Sequence, residues 1–333
     1  MGLIILDHPK LETENTFEYR DFVSSAGIYV STVLQEKIKN TGFLIAGNGS
    51  IGNPIAMMLA RSGAENIIIA DPESIETSNL ARQEYTFDQV GKNKAEMAVK
   101  NIHSINPGTT LTTRSVPIGI TNENVESLVS EADIIVDGID ILSSDMTWLL
   151  HKHACFYKKP VIVGYDLAGT ALLTIFRYDK KQIKPLKGYV SEETILRFQR
   201  IKKAYQNGDI SESQFLNYVY QVLTGPINPF LVPIEQLKEI VNRKDDETST
   251  SQVGTTARLI SVLAVEAIKV MLSGEKVREI IAIDIPSVVR AHNPSVVSKM
   301  VYMIKALMTI NRRGVGVKEM LNTLNNDDLL KNL

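Results

Sequence analysis

Short apolar runs alternate with amphipathic stretches of helical length through the first half of the chain. Residues 42–46 are apolar and lead through a glycine-rich turn into an amphipathic stretch that ends at Arg61. Strands that alternate with helices at these lengths favour a parallel, doubly wound α/β sheet. The pattern predicts strands at 42–46, 66–70, 110–116, 133–136, 160–164 and 172–178, with helices at 29–38, up to 61, and at 92–104 and 122–130, and part of a helix at 151–157.

The regular alternation ends after residue 178. Residues 188–243 are rich in helix formers and aromatics, and 243–251 is a charged, polar stretch that predicts a mobile loop. An apolar helix at 257–272, a strand at 280–283 and a helical tail follow. The fold class is therefore a Rossmann-like, mostly parallel sheet with a helical insertion and antiparallel strands in the C-terminal half. We predict four segments: an N-terminal helical arm (1–40), a nucleotide-binding core (41–178), a helical insertion with its loop for substrate or partner recognition (179–252), and a part that completes the fold (253–333).

Charge balance and cysteine count exclude several classes of protein. The 333 residues carry 36 Lys and Arg against 38 Asp and Glu, a net charge of -2, which argues against a nucleic-acid binder that relies on overall positive charge. The single cysteine, Cys155, excludes intramolecular disulfides and zinc sites built from several thiolates. The apolar stretch 257–272 is too short and too charged to cross a bilayer. We expect a cytoplasmic protein with neither a membrane nor a nucleic-acid partner.

A glycine motif between the first predicted strand and helix indicates a nucleotide site. Gly47, Gly49 and Gly52 form G-x-G-x-x-G, in which the glycines allow a tight turn, the approach of phosphates and close helix–strand packing. The free N–H groups at the start of the helix favour an anion. Asp71 ends the second strand, where its carboxylate can accept hydrogen bonds from a ribose. This motif alone fits an NAD enzyme as well as an enzyme of any other nucleotide.

The residues after Asp71 narrow the choice. They contain S-N-L-A-R-Q at 78–83, V-G-K-N-K at 90–94, N-P at 106–107 and D-G-I-D at 137–140. In this order the motifs resemble the E1-like adenylating superfamily, the ThiF/MoeB/ubiquitin-activating type, from about residue 20 to 176. The stretch 253–274 also resembles a late core helix of that family. The S-N-L-x-R-Q block is far more specific than the glycine motif.

The resemblance implies an ATP- and Mg²⁺-dependent adenylyltransferase that forms a homodimer. Its substrate would be the carboxylate of a peptide or of a ubiquitin-like or sulfur-carrier protein. Adenylation needs cations for the triphosphate and a metal ligand but little acid–base machinery. The residues that match the family's catalytic set are Arg82, Lys94, the Mg²⁺ ligand Asp140, and Arg20, which would reach the γ-phosphate across the dimer. Those that match its nucleotide-binding set are Gly47, Gly49, Ser50, Gly52, Asp71, Asn79 and Gln83.

Some of the residues singled out have a structural alternative. The amide side chains of Asn79 and Gln83 can instead hydrogen-bond to the backbone of their own loop and hold it in place. The aromatics of the insertion, Phe198, Tyr205, Phe215, Tyr218 and Tyr220, can line one helical face, but such stripes usually form a core. The loop at 244–251 would thread over the bound acyl tail if it follows the crossover loop of the family.

The chain departs from the family in its thiols. Many relatives carry zinc-binding Cys-x-x-Cys pairs and a loop cysteine that accepts the activated acyl group, and this chain has neither. Cys155 falls on a predicted core helix, where a cysteine packs as a small apolar side chain. The expected product is therefore an acyl-adenylate that an external amine, sulfide or thiol attacks.

Two other functions compete with adenylation. An NAD(P)-dependent oxidoreductase would use the glycine motif and Asp71, but it has no need for Arg82, Lys94 and Asp140 around the phosphates. A catalytically silent E1-like scaffold would not need the cations at all.

Overall fold

The apolar runs of the sequence become the strands of one seven-stranded sheet. The structure is a computed structural model that describes residues 16–223, 229–242 and 251–310. The strands are β1 (Gly42–Ala46), β2 (Asn66–Ala70), β3 (Arg114–Val116), β4 (Ile134–Asp137), β5 (Val161–Leu167), β6 (Thr170–Phe176) and β7 (Ile280–Asp284). Their order is β3-β2-β1-β4-β5-β6-β7. The first five are mutually parallel, and β6 and β7 are antiparallel to their neighbours, which confirms the predicted fold class.

Eleven α-helices with assigned bounds occupy the described ranges, and residues 296–310 are also helical. They are α1 (Tyr19–Val23), α2 (Thr32–Asn40), α3 (Gly52–Arg61), α4 (Lys94–Ile105), α5 (Val125–Glu131), α6 (Ser144–Phe156), α7 (Glu192–Gln206), α8 (Glu212–Leu223), α9 (Ile234–Asn242), α10 (Gly254–Leu272) and α11 (Ile285–Val289). Within these ranges no helix is long and apolar enough to cross a membrane.

Alternate residues of β1 face two different cores. Phe43 and Ile45 pack on one side with apolar residues of α3, α4 and α10, whereas Leu44 and Ala46 pack on the other with residues of α5 and α6. Successive side chains of a strand point to opposite faces, so a strand buried on both sides must be apolar throughout. All five residues of β1 are buried. This two-sided burial explains why β1 is readable in the sequence as a continuous apolar run.

Side-chain caps move several boundaries away from those predicted. The predicted helix at 29–38 begins later, at Thr32, because the Ser31 hydroxyl accepts a hydrogen bond from the Leu34 N–H at 3.2 Å. The helix predicted at 92–104 begins at Lys94 because Asn93 caps the Glu96 N–H at 3.1 Å. Such caps satisfy N–H groups that have no intrahelical partner.

The strand predicted at 110–116 is shorter than expected. Residues Pro107–Leu111 form a 3-10 helix, capped where the Asn106 side chain accepts from the Gly108 N–H at 3.1 Å. The Thr109 hydroxyl also donates to the Asn106 carbonyl at 2.7 Å. These local bonds compete with strand pairing, so only Arg114–Val116 joins the sheet.

The helical insertion has a core of its own. Phe198 and Phe215 are fully buried and pack with Tyr218, and the Tyr205 ring stacks on Phe215 at 4.9 Å. These aromatics are therefore packing residues, in agreement with the expectation that aromatic side chains at helical spacing usually form a core. The side chain of Tyr220 and the loop residues 244–250 lie outside the described residues.

The insertion packs against the core near the end of β4. On α7, Lys202 forms an ion pair with the largely buried Asp145 of α6 at 2.9 Å. Leu142, in the loop between β4 and α6, packs on the aromatic cluster. The insertion thus borders the loop that carries Asp140. The four predicted segment boundaries stay a prediction.

The insertion core predicts a large difference between two substitutions on α7. Phe198→Ala should lower the free energy of unfolding by about 3–5 kcal/mol, because it empties a fully buried position. Leu196→Ala, at a position 53% exposed on the same helix, should change it by less than about 1 kcal/mol. Urea denaturation followed by circular dichroism measures both, and equal losses would contradict the core assignment.

Candidate functional site

Sheet register brings three loops together at one edge. Ala46 is paired in register with Ala70 on one side and with Asp137 on the other. The chain leaves all three parallel strands at this level, so the loops after β1, β2 and β4 are neighbours. The Gly47 N–H donates to the Ala70 carbonyl at 2.8 Å, and the Gly138 N–H donates to the Ala46 carbonyl at 2.7 Å. The glycine motif, Asp71 and the D-G-I-D motif therefore share the carboxyl edge of the sheet.

The three motif glycines meet different surroundings. A Cβ on Gly47, whose φ is +84°, would lie 2.3 Å from the Gly138 carbonyl oxygen, and one on Gly52 would lie 2.0 Å from the Gly47 carbonyl oxygen. Both positions exclude any side chain. Gly49 is open, because the nearest atom to its Cβ position is the Gln83 Nε2 at 4.0 Å. The first and third glycines serve packing, and the second leaves the space that an approaching phosphate needs.

Asp71 fixes the glycine loop to the end of β2. Its Oδ2 accepts from the Asn48 N–H at 2.6 Å, and its Oδ1 accepts from the Glu73 N–H at 2.8 Å. Burial of the carboxyl group raises its pKa, and the two backbone N–H groups and nearby Lys94 oppose that rise. Asp71 thus stands at the position predicted for ribose recognition while it already orders the loop.

Lys94 is a buried cation at the first position of α4. Its Nζ forms an ion pair with the Glu73 carboxylate at 2.5 Å, and the Glu73 side chain is 58% exposed. The Tyr85 hydroxyl binds the Lys94 carbonyl at 3.0 Å and accepts from the Asn48 side chain at 2.6 Å. The backbone of Lys94 is therefore tied to the glycine loop. An exposed carboxylate partner can turn away, which would free the ammonium group for a phosphate.

The S-N-L-A-R-Q block forms a short 3-10 helix, Thr77–Ala81, that leads into the site. Asn79 closes a reciprocal cap with Glu76: its side chain accepts from the Glu76 N–H at 2.9 Å, and the Glu76 side chain accepts from the Asn79 N–H. This is the loop-tying role of the alternative interpretation. The Gln83 Oε1 makes no such cap, because this buried atom has no hydrogen-bond partner in the part of the chain that the structure describes.

Unpartnered polar atoms concentrate at this edge. Eight buried side-chain nitrogen or oxygen atoms lack a hydrogen-bond partner within 16–223, 229–242 and 251–310. Buried polar atoms are nearly always paired, so a group of orphaned atoms needs an explanation such as an absent ligand. Five of the eight belong to residues of the glycine loop, the start of α3, the S-N-L-A-R-Q block and the end of β5: Asn48, Asn53, Arg82, Gln83 and Asp166.

Asp140 follows β4 and is exposed to solvent. Its Oδ1 accepts from the Leu142 N–H at 2.8 Å and so caps the short helix Ile141–Ser143. The described part of the chain contains no group of three or more His, Cys, Asp or Glu side chains that could hold a metal ion. Mg²⁺ usually takes one or two carboxylates and completes its shell with substrate phosphates and water. A single exposed carboxylate such as Asp140 fits that mode of binding.

Arg20 lies away from this edge. The neighbouring Tyr19 hydroxyl donates to the Gly63 carbonyl at 2.8 Å, and Gly63 lies in the turn three residues before β2. The amino end of β2 is opposite the carboxyl edge that carries Asp71. Arg20 is exposed and has no polar partner within the described ranges. It is not brought to the site of its own chain, and any role there requires a second protomer.

Several residues at or below the edge were missed in the sequence. Asn48 and Tyr85 join the glycine loop to Lys94, and Asp166 extends β5 beyond the predicted end at residue 164. The rule that sites gather at carboxyl ends of parallel strands would have found Asp166 had β5 been predicted at full length. Beneath the D-G-I-D loop, the buried His151 bridges Asp137 at 3.2 Å and the Tyr178 hydroxyl at 2.8 Å. No sequence pattern signals that contact.

The surroundings of Cys155 do not favour a role as a nucleophile. Its thiol donates to the Ile183 carbonyl at 3.0 Å, and burial raises its pKa. A thiol with a raised pKa carries little of the thiolate that attacks acyl groups. This agrees with the expectation that Cys155 is a packing residue.

Comparisons with known proteins give one family and one fold. The model of the ThiF family matches residues 22–296. The chain is 29% identical over 145 residues to a sulfur carrier protein adenylyltransferase of Thermus thermophilus, covering 43% of this chain and 52% of that protein. It is 39% identical over 109 residues to a sulfur carrier protein ThiS adenylyltransferase of Bacillus subtilis, covering 32% of each. The chain thus spans between one third and about half of the length of these curated relatives.

Solved structures share the architecture at low sequence identity. PaaA has a TM-score of 0.54 at 17% identity, covering 84% of this chain and 83% of that one. E. coli MccB, solved with AMPCPP and MccA, has a TM-score of 0.50 at 20% identity, covering 81% and 74%. These likenesses show the fold.

The glycine geometry predicts a contrast between two positions of positive φ. Gly91→Ala should lower the free energy of unfolding by about 1–2 kcal/mol, because Gly91 has φ +85° and open space around it. Gly47→Ala has the same backbone strain and also overlaps the Gly138 carbonyl, so the loss should be clearly larger. Chemical denaturation compares the two variants. Equal losses would mean that the strands do not hold the loops as closely as described.

Proposed function

Because this chain belongs to the ThiF family, whose model matches residues 22–296, we propose that it is an ATP-dependent adenylyltransferase. It would activate the carboxylate of a peptide or small carrier protein. The names of the curated relatives support the reaction, since they are adenylyltransferases. Two comparisons support the substrate class. The curated relatives are named as adenylyltransferases of sulfur carrier proteins, and the structure of MccB was solved together with MccA.

The observation that carries the proposal is the group of orphaned polar atoms beside two cations. Arg82 Nε and Gln83 Oε1 are buried without partners, and Gln83 Nε2 borders the open space at Gly49. Lys94 is buried, and within the described ranges its ammonium group has the exposed Glu73 as its ionic partner. A triphosphate brings acceptor oxygens and negative charge, which satisfy the Arg82 Nε–H and the Lys94 ammonium group, whereas the Gln83 Oε1 is an acceptor and needs a donor such as a ribose hydroxyl. The residues present therefore fit ATP.

The reaction requires little from the protein except position and charge. A carboxylate oxygen of the substrate attacks the α-phosphorus of ATP, the bond from the α-phosphorus to the bridging oxygen breaks, and pyrophosphate leaves with that electron pair. No proton is transferred in this step. Arg82 and Lys94 would hold the phosphate oxygens, and Asp140 would hold Mg²⁺, which neutralises charge on the phosphates when bound. The backbone N–H groups at the start of α3 would add to this field.

The second step belongs to an external nucleophile. The described surroundings of Cys155, a partly buried thiol of raised pKa, do not favour transfer of the acyl group to this chain. An amine, a sulfide donor or a thiol of another protein would attack the acyl-adenylate, and AMP would leave.

The competing functions have less support. An oxidoreductase would use Asp71 and the glycine motif but would leave Arg82, Lys94 and Asp140 unexplained. A silent scaffold would have no physical need for a buried Lys94 together with an Arg82 Nε–H that has no partner among the described residues. Neither alternative accounts for the whole set.

Exchange of radiolabelled pyrophosphate into ATP tests the proposal. Carboxylate substrates would be offered as pools of small-protein tails, short peptides and free acids. We expect exchange with one pool only, a loss of about 10- to 100-fold in Lys94→Met, the effect of a lost charged hydrogen bond, and a similar loss in Asp140→Ala.

Lys92→Met is the matched control for that measurement. Lys92 is exposed and lies two residues before Lys94, so the variant should keep wild-type exchange. Exchange that survives in both Lys94→Met and Asp140→Ala would contradict the roles given to these residues.

A mixing experiment tests the proposed homodimer with Arg20 acting across it. Arg20→Ala and Asp140→Ala should each lower exchange about 10- to 100-fold alone. Mixed in equal amounts and allowed to re-associate, they should recover about one quarter of wild-type activity, because half of the dimers are mixed and half of their sites are intact. No recovery, with mixed dimers shown by mass spectrometry, would place Arg20 outside the site.

A further inference from the structure

Asp166 joins the end of β5 to the start of α10. Its Oδ2 accepts a hydrogen bond from the Val253 N–H at 2.9 Å, and the Ala168 N–H also binds the carboxylate. Its Oδ1 is buried and has no hydrogen-bond partner among the described residues. Neither the motifs nor the glycine loop includes this side chain.

The segment that Asp166 holds, residues 252–254, touches two parts of the nucleotide site. The Ser50 hydroxyl of the glycine loop binds the Gln252 side chain at 3.1 Å. A Cβ on Gly254 would lie 2.4 Å from the Ala81 carbonyl oxygen and 3.4 Å from the Arg82 Cα. The segment therefore packs directly on the backbone that presents Arg82. A shift of residues 252–254 would move both the glycine loop and Arg82.

The charge on Asp166 faces Arg82. Burial raises the pKa of Asp166 to about 6, while the Arg82 cation and the N–H groups of Val253 and Ala168 oppose the rise. Arg82 is the charged group that faces this carboxyl from the S-N-L-A-R-Q block; α10 and the turn after β5 present backbone N–H groups. The Arg82 Nε and the Asp166 Oδ1 are both orphaned, so the two groups interact as charges and not through a hydrogen bond between these atoms.

We propose that Asp166 is a positioning residue for adenylation, which holds residues 252–254 against the site and orients the Arg82 guanidinium toward the phosphates. The inference rests on the proposed function for its second half only. The first half, the tie between β5 and α10, is a property of the free protein. A purely structural tie would need the hydrogen-bond acceptor but not the negative charge, and this difference separates the two roles.

Three variants of the full-length chain separate them. Asp166→Ala removes both acceptor and charge. Asp166→Asn keeps an oxygen that can accept from Val253 but removes the charge. Glu84→Gln is the matched control, because Glu84 forms an exposed ion pair with Arg258 of α10 at 3.1 Å across the same contact.

Hydrogen–deuterium exchange of the nucleotide-free protein tests the tie. In Asp166→Ala, exchange of the amides of residues 251–256 should rise about tenfold or more, since the anchor of Val253 is lost. In Asp166→Asn the exchange of these amides should rise much less, and in Glu84→Gln it should match the wild type. Unchanged exchange in Asp166→Ala would overturn the tie.

Calorimetric binding of Mg-ATP tests the orientation of Arg82. At about pH 7.5 wild-type Asp166 is ionised, and Asp166→Asn should bind about threefold more weakly, the effect expected of a partly exposed ion pair. At about pH 5, below the pKa of Asp166, the wild-type carboxyl is protonated and the difference should vanish. A difference that is independent of pH, or an equal affinity at both values, would overturn the orienting role.

The two measurements fail separately. A wild-type chain that binds no Mg-ATP overturns the proposed function and the orienting role with it. The exchange measurement then still decides whether Asp166 holds residues 252–254.

Discussion

The site depends on the close packing of the loop after β1 against the loop after β4. Gly47 lies so near the Gly138 carbonyl that a Cβ would stand 2.3 Å from that oxygen, and a Cβ on Gly52 would stand 2.0 Å from the Gly47 carbonyl oxygen. The contact exists because β1 is flanked in parallel by β2 and β4, with Ala46, Ala70 and Asp137 in register. Residues without side chains are needed at two of the three motif glycines simply to let three loops meet. The space for a phosphate at Gly49 and the position of Asp71 both depend on this packing.

The packed loops carry buried polar and charged groups, and some of these groups lack hydrogen-bond partners. Both carboxylate oxygens of Asp71 accept hydrogen bonds from backbone N–H groups, so Asp71 orders the glycine loop in the free protein. Among the described residues, Arg82 retains a buried donor and Gln83 a buried acceptor without partners, and Lys94 holds an exposed carboxylate that can be displaced. Leaving a buried donor or acceptor unpaired costs about 1–3 kcal/mol for each group. A site with this cost in the free protein recovers it as binding affinity when the ligand supplies the missing partners.

Much of the fold was predictable because a strand that is buried on both faces has a continuous apolar sequence. The strands at 42–46 and 66–70 were predicted at their observed bounds. Boundaries failed where a single side chain overrides periodicity, as with the Asn93 cap of α4 and the Asn106 turn that shortens β3. The motif residues after Asp71 could be singled out by their order along the chain. Asp166 was not singled out, because β5 was predicted to end at residue 164 and the Val253 N–H that it binds lies 87 positions away in the chain.

The carboxyl edge of this sheet is proposed to be a triphosphate site. Isothermal titration of the full-length chain with Mg-ATP and, separately, with NAD⁺ and NADP⁺ tests it most directly. We expect one Mg-ATP per chain, with affinity lowered in Lys94→Met and unchanged in Lys92→Met, and no heat from either dinucleotide. Binding of NAD⁺ or NADP⁺ without binding of Mg-ATP would contradict the account.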